Sequence, residues 1–196
     1  MKSLTFKSMS AFALALVAGG ALATTATTPV SAAVQSSPSN TTGKVTFTAG
    51  DLTLNQVPDF DFGTQNILPT DQTYTATANG VTKITDLRGD GKGWELTVTA
   101  TELTANGKTL ENAQISLENG VATNANGETV TATNAVLVPN TAAKVFSAAT
   151  NNGNGESTLT WDKANAKLFV PGASTKSAAQ YTATLTWTLA DAPTAP

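Results

Sequence analysis

The sequence predicts an all-β domain, a single antiparallel β-sandwich of Greek-key-like character, and three observations predict it. The first is alternation: from Tyr181 to Leu189 every odd position is apolar and every even position is threonine. Successive side chains on a strand leave opposite faces, so this stretch has one buried face and one wet face. A helix of the same sequence would scatter its apolar residues around the axis. The second is Trp94 to Ala100, which alternates in the same way and also begins with Trp and Leu two apart. The third is punctuation. Asn-Gly falls at 79–80, 106–107, 119–120, 126–127, 152–153 and 154–155, and both residues tolerate the positive φ that tight hairpin turns require.

The elements follow in order. Lys44–Ala49 is a strand candidate because Val45 and Phe47 alternate with Thr46 and Thr48. Asp51–Leu54 follows, with Leu52 and Leu54 on one face. Val57-Pro58-Asp59-Phe60-Asp61-Phe62-Gly63 contains a proline and two aspartates, which argue against a central strand. Phe60 and Phe62 are expected to pin this loop onto the core while Asp59 and Asp61 stay in water. Residues 64–73 read as loop. Further strand candidates are Tyr74–Ala78, Val81–Leu87, Trp94–Glu102, Ala113–Leu117, Thr129–Val138, Ala143–Ala148, Ser157–Trp161, Lys167–Val170 and Gln180–Leu189. Around residues 101–112 the alternation fades, and a short helical or irregular piece is expected. Many short strands separated by turn signals suggest a sandwich or closed barrel.

Composition agrees and places the chain. Charged residues make up 13% of 196, against about 25% in ordinary domains. Threonine and asparagine fill the gap, favouring strands and turns respectively. Residues 1–33 read as a secretory leader: Lys2 and Lys7 give a positive start, Met9 to Ala23 an apolar run, and Val30-Ser31-Ala32 or Ser31-Ala32-Ala33 a small-residue cleavage site. The run is shorter than the roughly 20 apolar residues of a membrane span. A secreted protein is expected, with a polar tail over 34–43, the β domain over 44–190 and a short tail over 191–196. No Leu-Pro-x-Thr-Gly sorting signal occurs in that tail. There is no cysteine, so disulfides and lipidation through cysteine are excluded.

Loss of Lys2 and Lys7 leaves nine basic groups against 14 acidic ones, a net charge of −5. Without a basic cluster, attraction to nucleic acid, anionic lipid or teichoic acid does not drive binding. Shape, stacking and hydrogen bonds are left.

Taken together, the motifs resemble the small WxL proteins, which carry a domain retained at the surface of Gram-positive bacteria. The likeness starts at Val57-Pro58-Asp59-Phe60-Asp61-Phe62-Gly63 and runs through Val81-Thr82-Lys83-Ile84-Thr85-Asp86-Leu87-Arg88-Gly89 into Gly93-Trp94-Glu95-Leu96. It closes with Tyr181 to Leu189. A lone Trp-x-Leu carries almost nothing; two of them in extended signatures, in this order, are specific. The resemblance implies non-covalent attachment to the cell wall, with peptidoglycan as ligand. As partners it implies sortase-anchored surface proteins and WxL-interacting proteins.

The candidate ligand-binding residues are Trp94, Leu96, Trp187 and Leu189. Indole rings stack on the CH faces of sugars and fill interface hot spots, and a leucine two residues on extends the patch. The other reading makes the tryptophans core pillars, since their apolar faces continue into Val98 and Ala100 or back into Leu185 and Ala183. The strand ends that carry the two rings are expected to lie near each other.

Other chemistries are weaker. Arg88-Gly89-Asp90 spells an adhesion tripeptide but sits in a glycine-rich turn. Asp59, Asp61, Asp86 and Asp90 lack the dense oxygen spacing of a calcium loop. No histidine is present either, so zinc and copper sites are not expected, nor is any cofactor. Glu95, Glu102 and Asp86 are scattered carboxylates without a glycosidase arrangement, and the serines sit in no nucleophile elbow. The protein reads as a binding module rather than an enzyme. The alternative is a structural subunit of a surface complex.

Overall fold

A computed structural model describes residues 41–192. The expected leader and most of the tail after it, with the last four residues, lie outside the described residues. The fold is all-β, as expected: antiparallel sheets pack together around one apolar core, consistent with a sandwich. Its strands are β1 (Leu52–Gln56), β2 (Gln72–Thr75), β3 (Gly80–Asp86), β4 (Trp94–Ala100), β5 (Thr104–Ala105), β6 (Lys108–Thr109), β7 (Gln114–Leu117), β8 (Val121–Asn124), β9 (Thr131–Ala132), β10 (Ala135–Leu137), β11 (Ala143–Ala148), β12 (Gly155–Trp161), β13 (Ala166–Val170) and β14 (Leu185–Asp191). Among the described residues there is one 3-10 turn, Lys163–Asn165, capped by the Asp162 carboxylate, which accepts from the Ala164 amide.

Three four-stranded sheets carry the fold, in the orders β1-β3-β12-β8, β10-β7-β13-β2 and β14-β4-β11-β9. All described pairings are antiparallel. The alternation read from the sequence is visible as burial: both β3 and β4 bury every second residue and leave the intervening ones half exposed. Trp94, Leu96 and Val98 of β4 are wholly buried, as are Phe146 of β11 and Leu159 of β12, and Trp161 at the end of β12 is 1% exposed.

Several expectations change. Residues 44–49 form no strand, and Val45 and Phe47 stand out in solvent. Alternation determines how a strand would face, but a strand also needs a neighbour to satisfy its amides, and none of the described strands pairs with this segment. Residues 101–112 hold no helix, and within an otherwise irregular stretch the two-residue strands β5 and β6 form a hairpin around Asn106-Gly107, with φ of 50° and 74°. Positive φ at both turn residues matches the strand twist, so local turn chemistry overrides the faded alternation. The remaining Asn-Gly pairs do not close two-residue hairpins. Among the described residues β5 and β6 are the only sheet neighbours that are also consecutive in sequence. Thr129–Val138 divides into β9 and β10, which belong to different sheets.

Candidate functional site

β4 and β14 are hydrogen-bonded neighbours, and their register aligns the two Trp-x-Leu motifs. Leu96 pairs with Leu189, Val98 with Trp187 and Trp94 with Asp191. Directly paired residues point to the same side of a sheet, so both tryptophans and both leucines share one face. The two rings sit four residues apart along the pair, about 13 Å at strand rise.

Their surroundings differ because β4 is interior to its sheet and β14 is its edge. Trp94 and Leu96 are 0% exposed. The Trp94 ring meets Phe146 edge to face with centroids 4.8 Å apart, and its Nε1 donates to the Gly153 carbonyl at 3.2 Å. With its polar atom satisfied and its faces covered, Trp94 offers no surface to a ligand. Trp187 and Leu189 are half-buried, with Thr186, Thr188 and Ala190 exposed between and beyond them.

Trp187 borders a groove of about 300 Å³. One wall is Ala183, Thr184, Leu185 and Trp187; the other is Val57, Pro58, Asp59 and Phe60, the loop that follows β1. Both β1 and β14 are sheet edges, and the groove lies between the loop that leaves β1 and the chain that enters β14. Beneath it is Trp161. Its ring lies 6.1 Å from Trp187, tilted by 47°, and 6.1 Å from Phe60 in an edge-to-face contact. Gly80, opposite Trp161 in the ladder, makes room for this stack. A Cβ there would lie 2.6 Å from Phe60 Cε1. The expectation that Phe60 pins its loop while Asp59 and Asp61 stay exposed agrees with their placement.

A charged clasp holds β14 at its other end. The Arg88 guanidinium donates to both Asp86 oxygens, at 3.0 and 2.8 Å, and to the Gly93 carbonyl at 2.8 Å. Its remaining arm reaches Asp191. Asp86 is 4% exposed and the Arg88 side chain 13%. The hydrogen bonds to Asp86 push the Arg88 pKa above its usual range. Asp90 accepts the Lys92 amide at 3.1 Å, which holds its carboxyl below the ordinary value. An arginine committed in this way is not free to recruit an adhesion receptor, so the Arg88-Gly89-Asp90 turn is a structural joint.

The candidate carboxylates are also spoken for or separate. Glu95 pairs with Lys144 at 3.5 Å on the wet face of β4, and Asp61 accepts the Gly63 amide at 2.8 Å. Trp161, Gly80 and the contact of Phe60 with both were not legible as parts of one site. The available signal was that Trp161, the third tryptophan, closes an alternating strand directly before a turn.

A family model described as WxL domain, surface cell wall-binding, matches residues 14–193. No curated protein and no solved structure matches the chain.

Proposed function

The chain belongs to the WxL family of surface cell wall-binding domains, and from that premise we propose that it attaches non-covalently to peptidoglycan of a Gram-positive wall. It does so as a secreted binding module, not as an enzyme. The contact surface is the groove beside Trp187, with Leu189 and Phe60 extending its apolar floor. Trp94 and Leu96, the buried half of the paired motif, anchor the neighbouring strand β4, on whose ladder β14 is held in register. The observation that carries this reading is that Trp187 is half-buried on an edge strand and braced by Trp161. A ring fixed on one face and open along a groove is suited to stacking on a sugar or an apolar stem residue without further ordering cost. Surrounding threonine hydroxyls supply hydrogen-bond donors and acceptors. The net negative charge of the chain agrees with recognition by shape rather than by attraction to anionic polymers.

Co-sedimentation with purified peptidoglycan, stripped of protein and teichoic acid, tests the reading. The protein is expected to pellet with it in a saturable, largely salt-independent manner. Absence from the pellet would overturn glycan binding. A second reading is favoured by one feature: β14 is a sheet edge, and edge strands accept partner strands. In that case the protein is a subunit of a surface complex with sortase-anchored or WxL-interacting proteins. It would then bind stripped peptidoglycan only when such partners are added.

A further inference from the structure

Val45 and Phe47 are the most exposed large apolar side chains among the described residues, at 75% and 89%. They lie in Val45-Thr46-Phe47-Thr48-Ala49, a run with strand-like alternation in which all five residues are exposed. Its root is fixed. The Gly50 amide donates to the Leu87 carbonyl at 2.9 Å, and the Leu87 amide donates to Asp51 at 3.0 Å. These bonds extend the β1–β3 ladder by its last rung, and beyond it the chain from β3 turns away through Arg88 and Gly89. The segment is thus the overhanging start of an edge strand. It has high β-propensity, a row of open amides and an apolar face with nothing described against it.

We propose that Val45–Ala49 is a dimerisation arm that pairs with the same segment of a second copy. The argument is its self-complementarity. Around Phe47 the run has the same pattern in both directions: threonine on each side, then Val45 and Ala49. Antiparallel pairing about a two-fold axis at Phe47 sets Phe47 against its counterpart, Thr46 against Thr48, and Val45 against Ala49. Paired residues share a face, so all apolar groups gather on one side of the ribbon and all threonines on the other. Aromatic pairs and threonine pairs are among the favourable cross-strand combinations. A two-fold interface requires a surface that complements itself, and no charge within the five residues opposes it. Leu87 at each root, 61% exposed, adds apolar surface beside the ribbon. The proposal does not depend on wall attachment, because the arm contributes nothing to the groove lining.

Sedimentation velocity of the purified protein, from dilute solution up to its solubility limit, reads the assembly directly. The expected result is a concentration-dependent rise from monomer to dimer and no further. Phe47→Asp sets like charges on the axis and should weaken dimerisation at least tenfold, whereas Phe47→Leu should retain it. Because Phe47 is so exposed, neither change disturbs the core. The chain has no cysteine, so single introduced thiols report the register. Phe47→Cys should oxidise readily to a covalent dimer, and Thr46→Cys, which faces Thr48 of the other copy, should not. A protein that stays monomeric throughout overturns the proposal. So does a dimer indifferent to Phe47→Asp, open-ended growth beyond the dimer, or equal cross-linking at the two positions.

Discussion

Trp94 and Trp187 have the same sequence neighbourhood and opposite fates. Trp94 fills a site closed by Phe146 and Gly153, so Trp94→Ala removes a buried ring and its hydrogen bond together. It should cost about 3–5 kcal/mol of stability, the usual range for a buried aromatic, and urea denaturation would read the loss as a lower midpoint. Trp187→Ala removes a half-buried ring at a groove. Here stability should fall far less, while peptidoglycan affinity should drop by about tenfold, the equivalent of about 1.4 kcal/mol. The alternation of Trp94–Ala100 and Tyr181–Leu189 made both strands and their apolar faces legible, although β14 starts only at Leu185 and the residues before it form no more than an isolated bridge from Thr182 to Thr104. Which tryptophan stays accessible was not legible, because that depends on which strand is interior to the sheet. Sheet order is set by distant segments and leaves no mark on the nine residues themselves.

At the scale of elements, two devices position β14. One is the aromatic stack of Phe60, Trp161 and Trp187, which needs the bare backbone of Gly80. Gly80→Ala should push the Phe60 ring aside and change the groove without removing any of its lining residues. Lowered peptidoglycan affinity together with altered near-ultraviolet circular dichroism would reveal it. The other is the clasp at Arg88. Arg88→Ala leaves the Asp86 carboxylate buried without its counter-charge, which should destabilise the fold by about 3–5 kcal/mol. Asp191 is 57% exposed at its side chain, so Asp191→Ala should cost at most about 1 kcal/mol. Thermal denaturation of the two variants side by side checks that asymmetry. The sequence displayed Asp86-Leu87-Arg88-Gly89 as part of a motif, yet the partners Gly93 and Asp191 emerge only when β4 and β14 meet. The segment 44–49 shows the converse: its alternation was legible as a strand, but no described strand lies beside it.

For the whole molecule, the connectivity is the dominant physical fact. Apart from the β5–β6 hairpin, every described strand pairs with a partner that is not its sequence neighbour. Loop closure must therefore precede almost every favourable contact, so folding should be slow, in the range of about milliseconds to seconds. Stopped-flow fluorescence can follow this, since Trp94 and Trp161 pass from water to complete burial. The fold class was legible because local alternation and turn residues recur along the chain. The topology was not, because long-range pairings depend on the joint burial of faces from separate segments. With no disulfide available, packing, sheet hydrogen bonds and the Arg88 clasp close the structure. The groove between the loop after β1 and the start of β14 follows from that closure, and wall attachment is proposed to lie there. The most direct test is retention of Trp187→Ala and of the conservative core variant Trp94→Phe on stripped peptidoglycan, each compared with the parent protein. Retention should fall about tenfold for folded Trp187→Ala and stay near the parent level for folded Trp94→Phe. Undiminished binding by folded Trp187→Ala would contradict the assignment of the groove.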